Sequence, residues 1–258
     1  MKITILSENK PKEGWLTEHG LSMYIETEEH SFLFDTGASD HFLHNAKKCN
    51  IDLKTATKIL SHGHWDHGNG LEHISGGTLI GHKDIFLARY RNRDDSYIGL
   101  KLDRRALEER FNLKLTQSPL WINNQTVFLG EIPRNCPFES KTTSFHLKEG
   151  TADFVPDDSA VVIKEKEGIH IITGCNHSGL NNLMDYAIEV TKDDRILSII
   201  GGLHLKETNN DLDRTIERIK KYPNIILAPM HCTSQIVIEK LKESCNVIEL
   251  YTGDSWEK

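Results

Sequence analysis

The sequence predicts an α/β protein, and two observations carry that prediction. Short apolar runs of strand character alternate with helical stretches over much of the chain. Strand after strand also ends at a potential metal ligand, Asp35, His62, His177, His204 or His231, close to a Gly or a Pro. If those strands share a direction, their ends converge on one edge of the sheets, where open α/β sheets build their sites.

Residues 2–6 read as a strand, and 21–26 and 31–35 as a pair joined by a polar turn at 27–30. A helix is expected at 41–49, with Phe42, Leu43 and Ala46 at helical spacing. Residues 56–60 form the next strand, 68–72 a turn into a short helix, and 77–81 another strand. The stretch 82–140 differs in character. It is rich in Arg and Asp at first, helix-like at 104–110, then weakly strand-like at 113–115 and 126–129. It carries no metal-ligand spacing and is expected to be an insertion beside the site, a lid or a substrate-recognition layer. From 159 the pattern sharpens: strands at 160–164 and 169–173, a helix at 180–190, a strand at 195–200, an amphipathic helix at 212–222, a strand at 224–228, a helix at 236–244 and a last strand at 247–250.

A chain of 258 residues buries most of its unfolded surface and needs no staples. Thirty-one basic and 38 acidic residues leave a net charge of −7, which argues against nucleic acid or an anionic membrane as partner. The five cysteines are odd in number and form no framework, and Met1 runs at once into a strand without a signal-peptide pattern. No apolar run approaches membrane-spanning length. A reducing cytoplasm is the expected location.

Chemistry concentrates in Ser61-His62-Gly63-His64-Trp65-Asp66-His67, where four potential ligands fall in six residues. A helix face gathers residues three or four apart, and a strand sends neighbours to opposite faces. Only a tight loop converges all four, and Gly63 and Gly68 supply the freedom such a loop needs. Two metals side by side are expected, with His62 and His64 on one and Asp66 and His67 on the other. Imidazole and carboxylate suit zinc, manganese or iron.

These residues resemble the metallo-β-lactamase fold superfamily. Its hallmark is Ser-His-x-His-x-Asp-His after a strand, and Phe34-Asp35-Thr36-Gly37 matches its early Asp-Thr-Gly. The resemblance implies an αββα sandwich of two mixed sheets flanked by helices, with a dinuclear metal site at one edge. It covers nearly the whole chain apart from 82–140, and implies a single domain, 1–258, with 82–140 as the inserted segment. Glu18-His19-Gly20-Leu21-Ser22, Gly130-Glu131-Ile132-Pro133-Arg134, Thr173-Gly174-Cys175-Asn176-His177, Gly201-Gly202-Leu203-His204-Leu205 and His231-Cys232-Thr233 narrow it to one subgroup. That subgroup includes an archaeal synthase joining a dihydropterin-methyl diphosphate to a ribofuranosyl-aminobenzene phosphate, and bacterial metal-dependent hydrolases. The superfamily's bridging aspartate would fall at Cys175. The resemblance therefore implies His177 as third ligand of the first metal and leaves bridging to water or to Cys175.

The full assignment is then His62, His64 and His177 for one metal, and Asp66, His67 and His231 for the other. Bound zinc lowers the pKa of its water towards ~7, so a metal-bound hydroxide is expected as the nucleophile. Asp66 is the expected general base, since it can orient the attacking water. His204 and His19 are candidates to protonate a leaving group or hold a substrate phosphate, with plain packing as the competing reading. Arg134 is a candidate for an anionic substrate group through its planar fork, against a solvated surface arginine. Asp35 is expected to orient a ligating imidazole, against a plain structural turn.

The expected function is a metal-dependent hydrolase of a small, anionic, phosphorylated or ester substrate. The alternative is a dinuclear-metal transferase condensing a pterin diphosphate with an aminobenzene ribose phosphate. For that reading Phe86, Tyr90, Tyr97, Phe111 and Trp121 supply stacking surface. A third reading is a metal-binding sensor without turnover. The sequence leaves monomer and homodimer open.

Overall fold

Strands form where Ile, Val, Leu and Phe are densest, and the backbone hydrogen bonds of those segments are met in two sheets. The computed structural model describes residues 1–54 and 56–258. In chain order the strands are β1 (Lys2–Ser7), β2 (Ser22–Glu26), β3 (Ser31–Phe34), β4 (Thr57–Ile59), β5 (Thr78–Gly81), β6 (Arg89–Arg91), β7 (Asn112–Leu115), β8 (Leu120–Trp121), β9 (Thr126–Phe128), β10 (Phe145–Leu147), β11 (Ala160–Glu165), β12 (Gly168–Thr173), β13 (Ile196–Gly202), β14 (Ile226–Met230), β15 (Asn246–Val247) and β16 (Ser255–Glu257). The helices are α1 (His41–Lys48), α2 (Trp65–Gly68), α3 (Arg104–Glu108), α4 (Leu180–Thr191), α5 (Asn210–Ile219) and α6 (Gln235–Lys242), with a 3-10 turn at Asn69–His73.

The chain divides into two compact units. The first holds Met1–Thr116, Ser144–Asp153 and Leu250–Lys258, and its seven-stranded sheet runs β16-β1-β2-β3-β4-β5-β7. β3, β4, β5 and β7 are parallel and the rest antiparallel. Asp35 and the loop to His62 therefore leave neighbouring parallel strands at the same sheet edge, as the sequence predicts. Leu6, Leu33, Phe42, Ala46 and Leu53 form one apolar cluster of this unit. Leu60, Leu71, Leu79, Ile85 and Leu107 form another.

The second unit holds Gln117–Thr143 and Phe154–Glu249, with sheet order β15-β14-β13-β12-β11-β9-β8. β12 to β15 are parallel, so the chain leaves β12, β13 and β14 towards His177, His204 and His231 at one edge. Its core is largely aliphatic, with Val162, Ile171, Ile199 and Leu227 from the strands and Leu183, Met184, Leu212 and Ile216 from α4 and α5. Each such side chain stabilises the unit by roughly 1.5–3 kcal/mol on burial. The Asn209 side chain caps α5 by accepting from the amides of Asp211 and Leu212, and Ser234 caps α6 through Val237.

The stretch 82–140 contributes to both sheets. β7 adds an edge strand in the first unit beside β5, and β9 and β8 add the last two strands of the second unit's sheet beyond β11. Two short pairings were not legible in the sequence. β6 pairs with β10, a ribbon rich in Arg and His rather than aliphatics, and β16 pairs with β1 at the far end of the chain.

Candidate metal centre

The histidine cluster starts at His62, three residues beyond the end of β4. Trp65 to Gly68 form one helical turn, so Asp66 and His67 sit on α2 itself, with His64 extended at its N-terminus and His62 in the bend before it. The turn into a short helix expected at 68–72 corresponds to the 3-10 turn at Asn69–His73, and α2 is an additional helical turn before it. Gly63 is needed for closeness rather than for a special dihedral. A Cβ there would overlap the Ile85 carbonyl oxygen and stand 2.8 Å from the Ile85 Cα.

Asp35 organises the first unit's cluster. It is buried, and its backbone takes the left-handed region at φ 56°. Its Oδ1 accepts from the Ser61 amide at 2.7 Å; its Oδ2 accepts from the Ser61 hydroxyl at 2.7 Å and from His67 Nδ1 at 2.7 Å. Proton bookkeeping then sets both tautomers. A carboxylate only accepts, so His67 carries its proton on Nδ1 and leaves Nε2 with a lone pair. The single Ser61 hydroxyl proton goes to Asp35, so His62 Nδ1, 2.9 Å from Ser61 Oγ, must donate, which bares His62 Nε2. Asp35 thus hydrogen-bonds the His67 imidazole and both hydrogens of Ser61.

His62 Nε2 and His64 Nδ1 stand 2.9 Å apart. Two ligand nitrogens on one tetrahedral ion at ~2.0–2.1 Å would lie roughly 3.3 Å apart, so an opening of a few tenths of an ångström admits it. The donor set therefore fits a divalent cation. The ring centroids of His62 and His67 are 4.3 Å apart, which places three imidazoles together. Asp66 is buried, and His19 lies 3.1 Å from it through Nε2. The Gly20 amide donates to Asn9 Oδ1, which turns Asn9 Nδ2 towards His19 Nδ1 at 3.1 Å. His19 therefore donates from Nε2 to Asp66, and its side chain remains 53% exposed. Glu18, its neighbour, accepts from the amides of Ala38 and Ser39 and ties this motif to the loop after Gly37.

In the second unit, Asn176, His204 and His231 all take positive φ, at 61°, 50° and 51°. Such conformations cost about 1 kcal/mol or more each outside glycine and gather at functional loops. The rings of His177 and His204 are 4.3 Å apart between centroids. Cys175, His231 and Cys232 bring one potential ligand atom each within 4.8 Å of one another. The Cys232 thiol lies 3.5 Å from the Cys175 carbonyl oxygen and accepts from the His204 amide at 3.3 Å. Gly202 is required beside them, since a Cβ there would stand 2.6 Å from Cys232 Sγ.

Two supports of these loops, Asp158 and Glu139, carried no assignment in the sequence. Asp158, buried, accepts from the Ser178 amide at 2.9 Å and hydroxyl at 2.8 Å. Burial pushes the Asp158 carboxyl pKa up, and the Ser178 bonds oppose that shift. Glu139 accepts from the amides of Asn181 and Asn182 at the start of α4. Arg134 donates to Ser140 and to the Val155 carbonyl, and Ser140 donates to the His177 carbonyl at 2.9 Å.

No protein-family model matches the chain. Two proteins of Methanocaldococcus jannaschii are similar to it. One is the uncharacterized protein MJ0448, 31% identical over 261 residues that span 97% of this chain and 98% of that protein. The other is a 7,8-dihydropterin-6-methyl-4-(beta-D-ribofuranosyl)-aminobenzene-5'-phosphate synthase, 28% identical over 253 residues that span 88% of this chain and 86% of the synthase. Among solved structures, Tm1679, a metal-dependent hydrolase of the beta-lactamase superfamily, is 28% identical, with coverage of 100% of this chain and 99% of its own and a TM-score of 0.89. That similarity runs the length of the chain, and with the motif after β4 it means that the chain belongs to the metallo-β-lactamase fold superfamily.

Proposed function

We propose that the protein is a metal-dependent hydrolase acting on a small anionic substrate, a phosphorylated compound or an ester. The observation that carries this reading is the Asp35 relay, which leaves Nε2 of both His62 and His67 as lone-pair donors. The likeness to Tm1679, named a metal-dependent hydrolase, supports it. His62, His64 and His177 would hold one divalent ion, and Asp66, His67 and His231 the other, with zinc the proposed metal and manganese or iron as alternatives. Cys175 is the proposed neighbour of the pair in place of a bridging aspartate.

When bound, the ions supply Lewis acidity and lower the pKa of coordinated water. The chain's own groups do the rest. Asp66 orients the attacking water and takes its proton, and the His19 bond fixes which carboxylate oxygen faces the reaction. His204 returns a proton to the leaving group. His19, half exposed beside Asp66, and Arg134 contact the substrate's anionic group. The segment 82–140 supplies recognition around its sheet strands, where Tyr97 and Trp121 are exposed.

The second reading is a transferase in which an organic nucleophile replaces water, and the 28% identity to the dihydropterin synthase favours it. Purified protein with added Zn²⁺ or Mn²⁺, screened on phosphodiesters, phosphomonoesters, lactones and dihydropterin diphosphates, separates the two. Product that forms with water alone supports the hydrolase, and product that needs a second organic substrate replaces it with the transferase. Full metal content in both His64→Ala and Asp66→Ala would overturn the metal assignment.

A further inference from the structure

Lys58 stands where the sheet calls for an apolar side chain. On β4 it is paired with Leu33 of β3 on one side and Leu79 of β5 on the other, both fully buried. Lys58 itself is only 2% exposed. Among the described residues the Lys54 carbonyl, 3.3 Å from its Nζ, is the hydrogen-bond acceptor seen for it. An ammonium taken out of water with one backbone carbonyl is under-compensated, because burying a charge is costly unless it is paired.

Lys58 lines a cavity of about 770 Å³ in the first unit. Leu43, Ala46, Ile51, Leu53 and Ile74 make its apolar walls. Lys47, Lys54 and Lys58 bring three positive charges to it and Asp52 one negative. One oxygen of Asp52 is already taken by the Lys54 amide at 3.0 Å. The C-terminal carbonyls of α1, which would oppose an anion, are also engaged: Asn45 by Cys49, Ala46 by Ile51 and Lys47 by Asn50. In a chain of net charge −7 this pocket is locally basic. We propose that it binds an amphiphilic organic anion, with the headgroup on Lys58 and the apolar body along Leu43, Ile51, Leu53 and Ile74. Burial lowers the Lys58 pKa, with Asp52 acting to hold it up, so an anionic headgroup would supply what the ammonium lacks. The volume lies within the ordinary range for a small-molecule site, and the mix of apolar wall and few polar groups is typical of one. Lys58 belongs to none of the groups assigned to the metals, so this site stands or falls apart from the proposed hydrolase.

Calorimetric titration of the full-length, metal-loaded protein with decanoate, decanol and acetate tests the proposal. Decanoate should bind, and decanol and acetate should each bind at least about tenfold more weakly, the first for want of charge and the second for want of a body. Lys58→Met should weaken decanoate about tenfold or more, and Leu43→Glu, on a half-buried wall position, should do the same. No decanoate binding at millimolar concentration, equal binding by Lys58→Met and Leu43→Glu, or decanol binding as tight as decanoate would each overturn it.

Discussion

Asp35 holds Ser61 by both of its hydrogens, the amide on Oδ1 and the hydroxyl on Oδ2, each at 2.7 Å. The second unit repeats the device, with Asp158 holding the amide and hydroxyl of Ser178. In each case a buried carboxylate grips the serine next to a histidine, Ser61 before His62 and Ser178 after His177. Charge-assisted bonds of this kind are about twice as strong as neutral ones, and inside the protein water does not compete for them. They fix the histidine loops before any ligand arrives.

Asp35→Asn should therefore weaken metal binding with the sheet intact. The amide can still accept on one oxygen, but it turns a donor towards Ser61 or His67 and unsettles the tautomer that bares Nε2. Partners of this type are worth ~10–100-fold in metal affinity, and that is the loss expected in a zinc competition titration against a chromogenic chelator. Unchanged affinity would show that Asp35 only shapes the turn.

Ser178→Ala tests the matching grip in the second unit. It deletes one donor to Asp158 and leaves the amide bond. A hydrogen bond to a charged group contributes about 1.5–3 kcal/mol, so the unfolding free energy from a denaturant titration should fall by that order. With one opposing bond gone, the Asp158 pKa should rise further, which a carbonyl-region infrared titration would register.

Much of this architecture was legible in the residues. The runs at 2–6, 31–35, 160–164 and 169–173 match β1, β3, β11 and β12 to within a residue at each end, because aliphatic density and turn residues both mark them. The gathering of Asp35 and the His62 loop at one sheet edge, and of His177, His204 and His231 at another, followed from strand order and direction. What was not legible depends on tertiary proximity. The ribbon of β6 and β10 joins residues more than fifty apart with no periodicity to announce it. Asp158 and Glu139 drew no assignment, because the amides they accept from lie 20 and 42 residues further along the chain. Gly63 read as a flexible hinge, yet its need is for a gap beside Ile85.

Gly63→Ala follows from that last point. The new Cβ meets backbone, not the far end of a flexible side chain, so the loop carrying His62 and His64 must shift. Overpacking of this sort costs about 1–3 kcal/mol. Metal content after dialysis should drop alongside the melting temperature. A variant that retains full metal would mean that the Ile85 segment yields instead.

Lys58→Met gives the pH test. In the unfolded chain this lysine titrates near ~10.4, and burial holds its folded pKa lower. Between the two values the unfolded chain binds the extra proton, so wild-type stability rises with pH across that window and the cost of the buried charge is fully present below it. Methionine fills similar volume between Leu33 and Leu79 without the charge. The variant should melt above the wild type at pH 7, with roughly 2–4 °C for each kcal/mol recovered. That advantage should shrink as the pH approaches 10. Denaturant midpoints of both proteins from pH 7 to 10 measure it directly. An advantage that stays constant over that range would show that the Lys58 ammonium is already as well compensated in the folded protein as it is in water.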